Sequence, residues 1–291
     1  MQIHKLENEE LKIQVNSTGA ELDSIYNKKY QLEYLWSGDP AFWAKKSPVL
    51  FPIVGTLKNN EYYFQNRSYK MGRHGFAREK EFEVTDQSSE NIIFSLKSNG
   101  ETLKQYPFNF LFDIIYRITG NCLQVSFQVT NTGHDVMYFS VGGHPAFKLP
   151  LEAATVYEDY FLEFSEIENA GHWPISPDGL IEEAPLPLLD NTKMLPLNKQ
   201  LFQKDALVFK DLRSDKVSLR SVKTPRCINF TFTGFPYLGI WAAKNADFVC
   251  IEPWCGIADS VHSDQQLINK EGINRLDPRN IFKRTWSVEA R

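Results

Sequence analysis

Short apolar runs with an alternating pattern, cut by turn residues at close spacing, recur along most of this chain, and they restrict it largely to β-strands. The runs at 61–64 and 68–71 flank Gln65-Asn66-Arg67, and those at 110–119 and 122–130 flank Gly120-Asn121. Each pair reads as a hairpin. The runs at 81–85 and 92–97 flank the polar stretch 86–91, while 206–211 and 216–221 bracket Arg213-Ser214-Asp215. Further runs lie at 228–233, 238–242 and 248–252, and 281–288 closes the chain. Aromatic residues make up 13% of the sequence, mostly Phe and Tyr, and such side chains pack well on a pleated surface. Strands joined mainly by hairpins, with no internal repeat and no linker, predict an all-β chain. The expected architecture is one large antiparallel β-sandwich with a few short helices, with residues 1–291 forming a single domain.

Helical signals are few. Asp39-Pro40 is a good N-cap and first-turn pair and predicts a short helix over 41–45. A turn or two is expected over 101–105, ended by Pro107. The stretch 171–197 carries Pro174, Pro177, Pro185, Pro187 and Pro196 and reads as a long ordered loop.

Composition excludes several kinds of function. The net charge is only −4 with no basic run, which argues against nucleic acid as a partner. No stretch is apolar enough to span a bilayer, and residues 1–11 carry Glu7, Glu9 and Glu10 in place of a secretory apolar core. A cytoplasmic protein is expected. Cys122, Cys227, Cys250 and Cys255 are too few and too scattered for a disulfide framework. Only Cys250 and Cys255 lie close together, which leaves a zinc site incomplete. All four are expected to be buried or half-buried thiols.

Three polar clusters interrupt the apolar runs: Arg73-His74-Gly75-Phe76-Ala77-Arg78, Val141-Gly142-Gly143-His144-Pro145-Ala146-Phe147, and Phe248-Val249-Cys250-Ile251-Glu252-Pro253-Trp254. His144 and Glu252 each end an apolar run and precede a proline, which biases both towards extended backbone. A side chain held at a strand end can be aimed, as an acid or base must be. A single strand-end histidine is commonly structural. A glutamate after four apolar residues needs a partner or a task, because an unpaired buried carboxylate is costly. Asp205 reads equally as a turn residue, Arg78 as a surface ion-pair partner, and Tyr237 as core; Trp254 suits either core or a sugar face.

Taken in order, these clusters resemble the aldose 1-epimerase family. The likeness runs through Ser17-Thr18-Gly19-Ala20-Glu21-Leu22, Ser47-Pro48-Val49-Leu50-Phe51-Pro52-Ile53-Val54-Gly55, His74-Gly75-Phe76-Ala77-Arg78, Gly143-His144-Pro145, Asp205-Ala206-Leu207-Val208-Phe209 and Ile251-Glu252-Pro253-Trp254. It is strongest for the LacX-like branch, with some likeness to hexose-6-phosphate 1-epimerases around Arg78. The resemblance implies a galactose mutarotase-like supersandwich with an open cleft for a hexose. It places the family's general acid on His144, its general base on Glu252 and its second active-site histidine on His74. A hydroxyl-binding carboxylate falls on Asp205 and a substrate-binding arginine on Arg78, with Trp254 beside them as a further sugar contact. One feature departs. Galactose mutarotases carry an arginine in an Asn-Arg-Ile motif where this chain reads Ile53-Val54-Gly55-Thr56-Leu57-Lys58, which leaves that contact to Arg78, Arg73 or Lys58.

The implied reaction is interconversion of the α and β anomers of a hexose or hexose derivative. One group takes the proton from O1 while another protonates the ring oxygen; the open-chain aldehyde rotates, and the ring closes on its other face. A carboxylate and an imidazole are a matched pair for this, and neither metal nor organic cofactor is required. The expected partner is a small sugar, free or phosphorylated, bound by a monomer or homodimer. Two rivals stand beside it. One is a carbohydrate-binding protein on the same fold without turnover. The other is a cupin-like metal site built from His74, His144 and Glu252, which the lack of a His-x-His pair disfavours.

Overall fold

The computed structural model describes residues 2–291 and is built from antiparallel ladders. The largest sheet has nine strands, with Leu186–Pro196 at one edge and Glu83–Gln87 at the other. Phe110–Thr119 and Cys122–Asn131 lie within it as a hairpin turning at Gly120-Asn121, as the alternation predicts. Their inward faces carry Phe110, Phe112, Ile114, Tyr116 and Ile118, and Leu123, Val125, Phe127 and Val129, all buried. A six-stranded sheet covers this face. Phe51 beside it stacks on Phe112 at 4.5 Å, and Phe147 meets Phe230 at 6.1 Å, so the two sheets share one aromatic core. The result is an all-β, antiparallel sandwich.

The strand that positions the site is Phe248–Cys255, at the heart of the six-stranded sheet and buried at every residue. With side chains alternating across the sheet, Cys250, Glu252 and Trp254 share one face. On one side it pairs with Tyr237–Trp241, and on the other with Val141–Gly143 and then Ala146–Lys148.

Several expectations need correction. The stretch 171–197 is a loop only over 173–185: Leu186–Pro196 is a strand paired to Tyr160–His172. Pro187 and Pro196 are tolerated in it because it is an edge strand. The neighbouring runs at 206–211 and 216–221 go to different sheets. Leu207–Phe209 pairs with Tyr237–Trp241, whereas Lys216–Ser221 joins Tyr160–His172 and Ile228–Thr231 in the large sheet. No helix forms over 41–45. The Asp39 side chain accepts from the Ala41 N–H and its carbonyl from Phe42 and Trp43, but the N–H groups of Lys46 and Ser47 then turn to Glu21 Oε1. One turn forms and cannot propagate. The short helix Thr102–Gln105 is present. The N-terminal four-stranded sheet, from Ile3–Glu7 to Leu32–Glu33, is an addition to the expected strands. Among the described residues no helix is long and apolar enough to cross a membrane.

Candidate active site

The ladder between Phe248–Cys255 and its partner lapses at one place. Gly142 pairs with Trp254 and Ala146 with Cys250, in one unbroken register, and that register sets His144 opposite Glu252. Pro145 and Pro253 sit in the gap, and neither has an N–H to give. The chain keeps its extended course there while the histidine and glutamate face each other as a cross-strand pair. His144 Nε2 lies 3.2 Å from Glu252 Oε2, and both side chains are almost wholly buried. His144 Nδ1 has no hydrogen-bond partner.

Burial acts on the two groups in opposite directions. It raises the Glu252 carboxyl well above its ordinary range, with Asp205 adding to the rise while Arg73 and the nearby Trp254 N–H oppose it. It lowers the His144 imidazole, which Arg73 and Arg78 lower further. Both shifts disfavour charge. Burial therefore favours the uncharged form of the pair, a protonated carboxyl facing a neutral imidazole. The alternative form, ionised Glu252 with protonated His144, has the same net charge and differs only in which side holds that proton.

His74 is fixed from the other side. It lies in a turn, not a strand, with φ +70°, in the left-handed region that a histidine adopts only when its surroundings impose it. Gly55 imposes it by a two-way clasp: the His74 N–H donates to the Gly55 carbonyl, and the Gly55 N–H donates to His74 Nδ1 at 3.1 Å. At the other edge of the ring, the Arg73 Nε lies 3.3 Å from His74 Nε2. Burial, with His144, Arg73 and Arg78 nearby, holds the pKa well below the imidazole range, so this ring is neutral.

A cleft of about 370 Å³ opens over these groups, large enough for a single sugar ring. Its lining includes His74, Arg78, His144, Asp205, Glu252 and Trp254, so all six residues singled out in the sequence meet there. Asp205 accepts from its neighbour's N–H at 2.7 Å and faces Arg73 at 3.4 Å; Arg78 donates to the Arg73 carbonyl at 3.0 Å. Arg73 and Lys204 join the rim. Lys58 does not. Its ammonium is spent on the carbonyls of Val261 and Ser263, so of the basic residues considered for the departing arginine contact, Arg73 and Arg78 reach the cleft.

Trp254 is only 5% exposed, so it backs the cleft more than it offers a face. Its indole occupies room left by Gly142 and Gly239, where an added Cβ would sit 2.6 and 2.5 Å from the ring. Tyr237 packs against Gly272, outside the cleft lining, in keeping with its core reading. Besides Lys204, two tryptophans of the lining escaped the sequence reading, Trp43 and Trp241. Neither adjoins a recognisable motif; an isolated tryptophan carries no signal of which surface it faces.

The sequence profile of the aldose 1-epimerase family matches residues 2–266. The chain belongs to the aldose 1-epimerase family. It is 37% identical over 294 residues to the chromosomal LacX protein of Lactococcus lactis subsp. lactis, with 98% of each chain covered. It is also similar to the solved structure of a galactose mutarotase related enzyme from Lactobacillus acidophilus. There the TM-score is 0.95 at 36% identity, covering 100% of this chain and 97% of the other. A galactose mutarotase-like protein from Lactobacillus casei ATCC 334 superposes with a TM-score of 0.94 at 30% identity, each chain fully covered. As an aldose 1-epimerase relative the chain has one further local option for a cation. Ligand atoms of His144, Cys250 and Glu252 lie within 4.8 Å of one another, a grouping that takes in Cys250 where the cupin-like reading used His74. Burial raises the Cys250 thiol well above its ordinary value, which works against the thiolate that a metal would need.

Proposed function

We propose that the cleft interconverts the α and β anomers of a hexose or hexose derivative. The observation that carries the reading is the buried cross-strand pair His144–Glu252 at 3.2 Å, facing a sugar-sized cleft. With the sugar bound, ionised Glu252 takes the O1 proton as protonated His144 delivers one to the ring oxygen, and the C1–O5 bond breaks. The pair is then protonated Glu252 with neutral His144, the form that burial favours. The same burial that makes the carboxyl a reluctant acid thus stabilises the enzyme around the open-chain aldehyde. Rotation about C1–C2 and the reverse transfers close the ring on its other face. His74 Nε2, beside the Arg73 guanidinium, meets a hydroxyl, Asp205 accepts from one, and Arg78 donates. Nothing in these steps calls for a metal or an organic cofactor. A sugar-binding protein without turnover would keep the cleft but has no need of an acid and a base set face to face.

The rim carries Arg73, Arg78 and Lys204 against Asp205, and this balance favours a sugar bearing an anionic group. Arg78 has a planar fork suited to hydroxyls or to phosphate. Anomer exchange followed by NMR over a panel of free and phosphorylated hexoses tests both points. Arg78→Ala should weaken substrate binding about tenfold or more while folding is kept. A much larger loss for a hexose phosphate than for the free hexose identifies the phosphorylated substrate. Negligible loss for both places Arg78 outside recognition.

A further inference from the structure

Glu252 meets the His144 ring at Nε2 alone, and the opposite edge of the ring is left without a polar anchor. The torsion about its Cβ–Cγ bond is broad and soft, and Nδ1, the usual anchor of such a ring, has no partner. His74, by contrast, is anchored at Nδ1 by Gly55. What surrounds His144 is a box of rings. Trp241 meets it edge-on at 5.5 Å and 86°, His74 at 5.7 Å and 82°, and the indole of Trp43 lies across its face at 4.9 Å and 31°. Trp241 belongs to a strand and His74 to its clasped turn. Trp43 comes from residues 37–47, a strap with no regular structure between Leu32–Glu33 and Val49–Leu50.

The strap is nonetheless fastened. The Trp43 carbonyl accepts from Trp36 Nε1 at 2.9 Å and its N–H donates to the Asp39 carbonyl at 2.9 Å. Glu21 takes the N–H groups of Lys46 and Ser47 and pairs with Lys45 at 3.2 Å. The indole itself rests against Phe248 at 5.6 Å and Trp241 at 5.3 Å. These contacts fix the plane of the indole, and the indole covers one face of the imidazole.

We propose that Trp43 is a positioning residue for His144, setting the plane of the imidazole by stacking and stabilising its protonated form over the indole face. The electrostatic part follows from the ring quadrupole, which attracts a cation placed over it and is strongest for tryptophan. The proposal rests on the anomer-exchange reading for its kinetic consequence, but the restraint of the ring is a property of the protein alone.

Trp43→Leu and Trp43→Phe test it with two readouts, anomer-exchange kinetics and the imidazole NMR signals of His144 in the sugar-free protein. With Leu, kcat should fall about tenfold or more while KM changes little, and the His144 signals should broaden or split as the ring gains freedom. Phe keeps a ring with a weaker face and should restore most of the activity and the sharp signal; it also serves if the Leu variant fails to fold. An increase in KM at unchanged kcat would make Trp43 a sugar platform and overturn the proposal. Sharp, unmoved His144 signals in a folded Leu variant would overturn it as well. A parent protein that does not speed anomer exchange removes the functional reading instead, and the NMR signals still decide whether Trp43 restrains the ring.

Discussion

Glu252→Gln should reduce anomer exchange by about 10²–10⁴-fold, the typical cost of losing a positioned general base. The amide keeps the shape of the side chain but cannot take the O1 proton. The strand around it has no reason to move, since every residue from Phe248 to Cys255 is packed and the backbone ladder is untouched. Glu252 Oε2 lies 3.2 Å from His144 Nε2, a contact that the amide can also make. Sugar affinity and melting temperature should stay close to those of the parent. His144→Asn should give a comparable loss of rate. The double variant should lose far less than the product of the two, because either change alone stops the same paired proton transfer. Multiplying losses would mean that the two side chains act separately, and a Glu252→Gln protein with near-normal turnover would end the acid–base account.

The second large effect is expected at Gly55, which does no chemistry. Its φ of +71° lies where an L side chain is strained, and a Cβ there would meet Ala258 Cβ at 2.4 Å, with the Ala258 backbone at 2.7 and 2.8 Å. The left-handed conformation costs about 1–2 kcal/mol, and overlap with a backbone that cannot swing aside adds about 1–3 kcal/mol. Gly55→Ala should therefore destabilise the protein by about 2–5 kcal/mol, lowering the melting temperature by roughly 5–15 °C. The substitution also strikes the clasp on His74, so the folded fraction should bind sugar less well. Calorimetry beside a binding titration checks both. A variant that melts within about 2 °C of the parent and binds normally would show that the turn accommodates a side chain.

The parts of the fold legible in the sequence were those written in local pattern. Phe110–Thr119 and Cys122–Asn131 alternate cleanly and meet at a Gly-Asn turn, and both were readable almost to the residue. Leu11, Ile13 and Val15 alternate just as cleanly in Leu11–Asn16, yet their charged flanks masked a signal that was present. Leu186–Pro196 was hidden for a different reason: proline argues against a strand unless the strand lies at an edge, and edge position is a property of the whole sheet. Pairing partners were equally out of reach for Leu207–Phe209, which crosses to the other sheet.

At the site, the shared grammar of His144 and Glu252, each at a strand end before a proline, was readable in the sequence. That they stand directly opposite each other was not, since it depends on the register of two distant strands. The same holds for Trp43 and Trp241, whose place in the cleft comes from a strap and a neighbouring strand brought together only by folding. Family resemblance supplied roles for His74, Arg78 and Asp205. What geometry adds is the clasp of Gly55 on His74 and the face-to-face placement of the buried pair.

Acid–base ring opening by His144 and Glu252 is the centre of the account, and exchange NMR on the parent protein tests it most directly. Saturating the anomeric proton of one anomer and watching the signal of the other reports ring opening and closure while it happens. With the parent protein present, transfer between the anomers of at least one free or phosphorylated hexose should rise well above the spontaneous rate, and Glu252→Gln should return it towards that rate with the sugar still bound. Sugar that binds in the cleft while its anomers exchange no faster than in buffer would contradict the account and leave a carbohydrate-binding protein in its place.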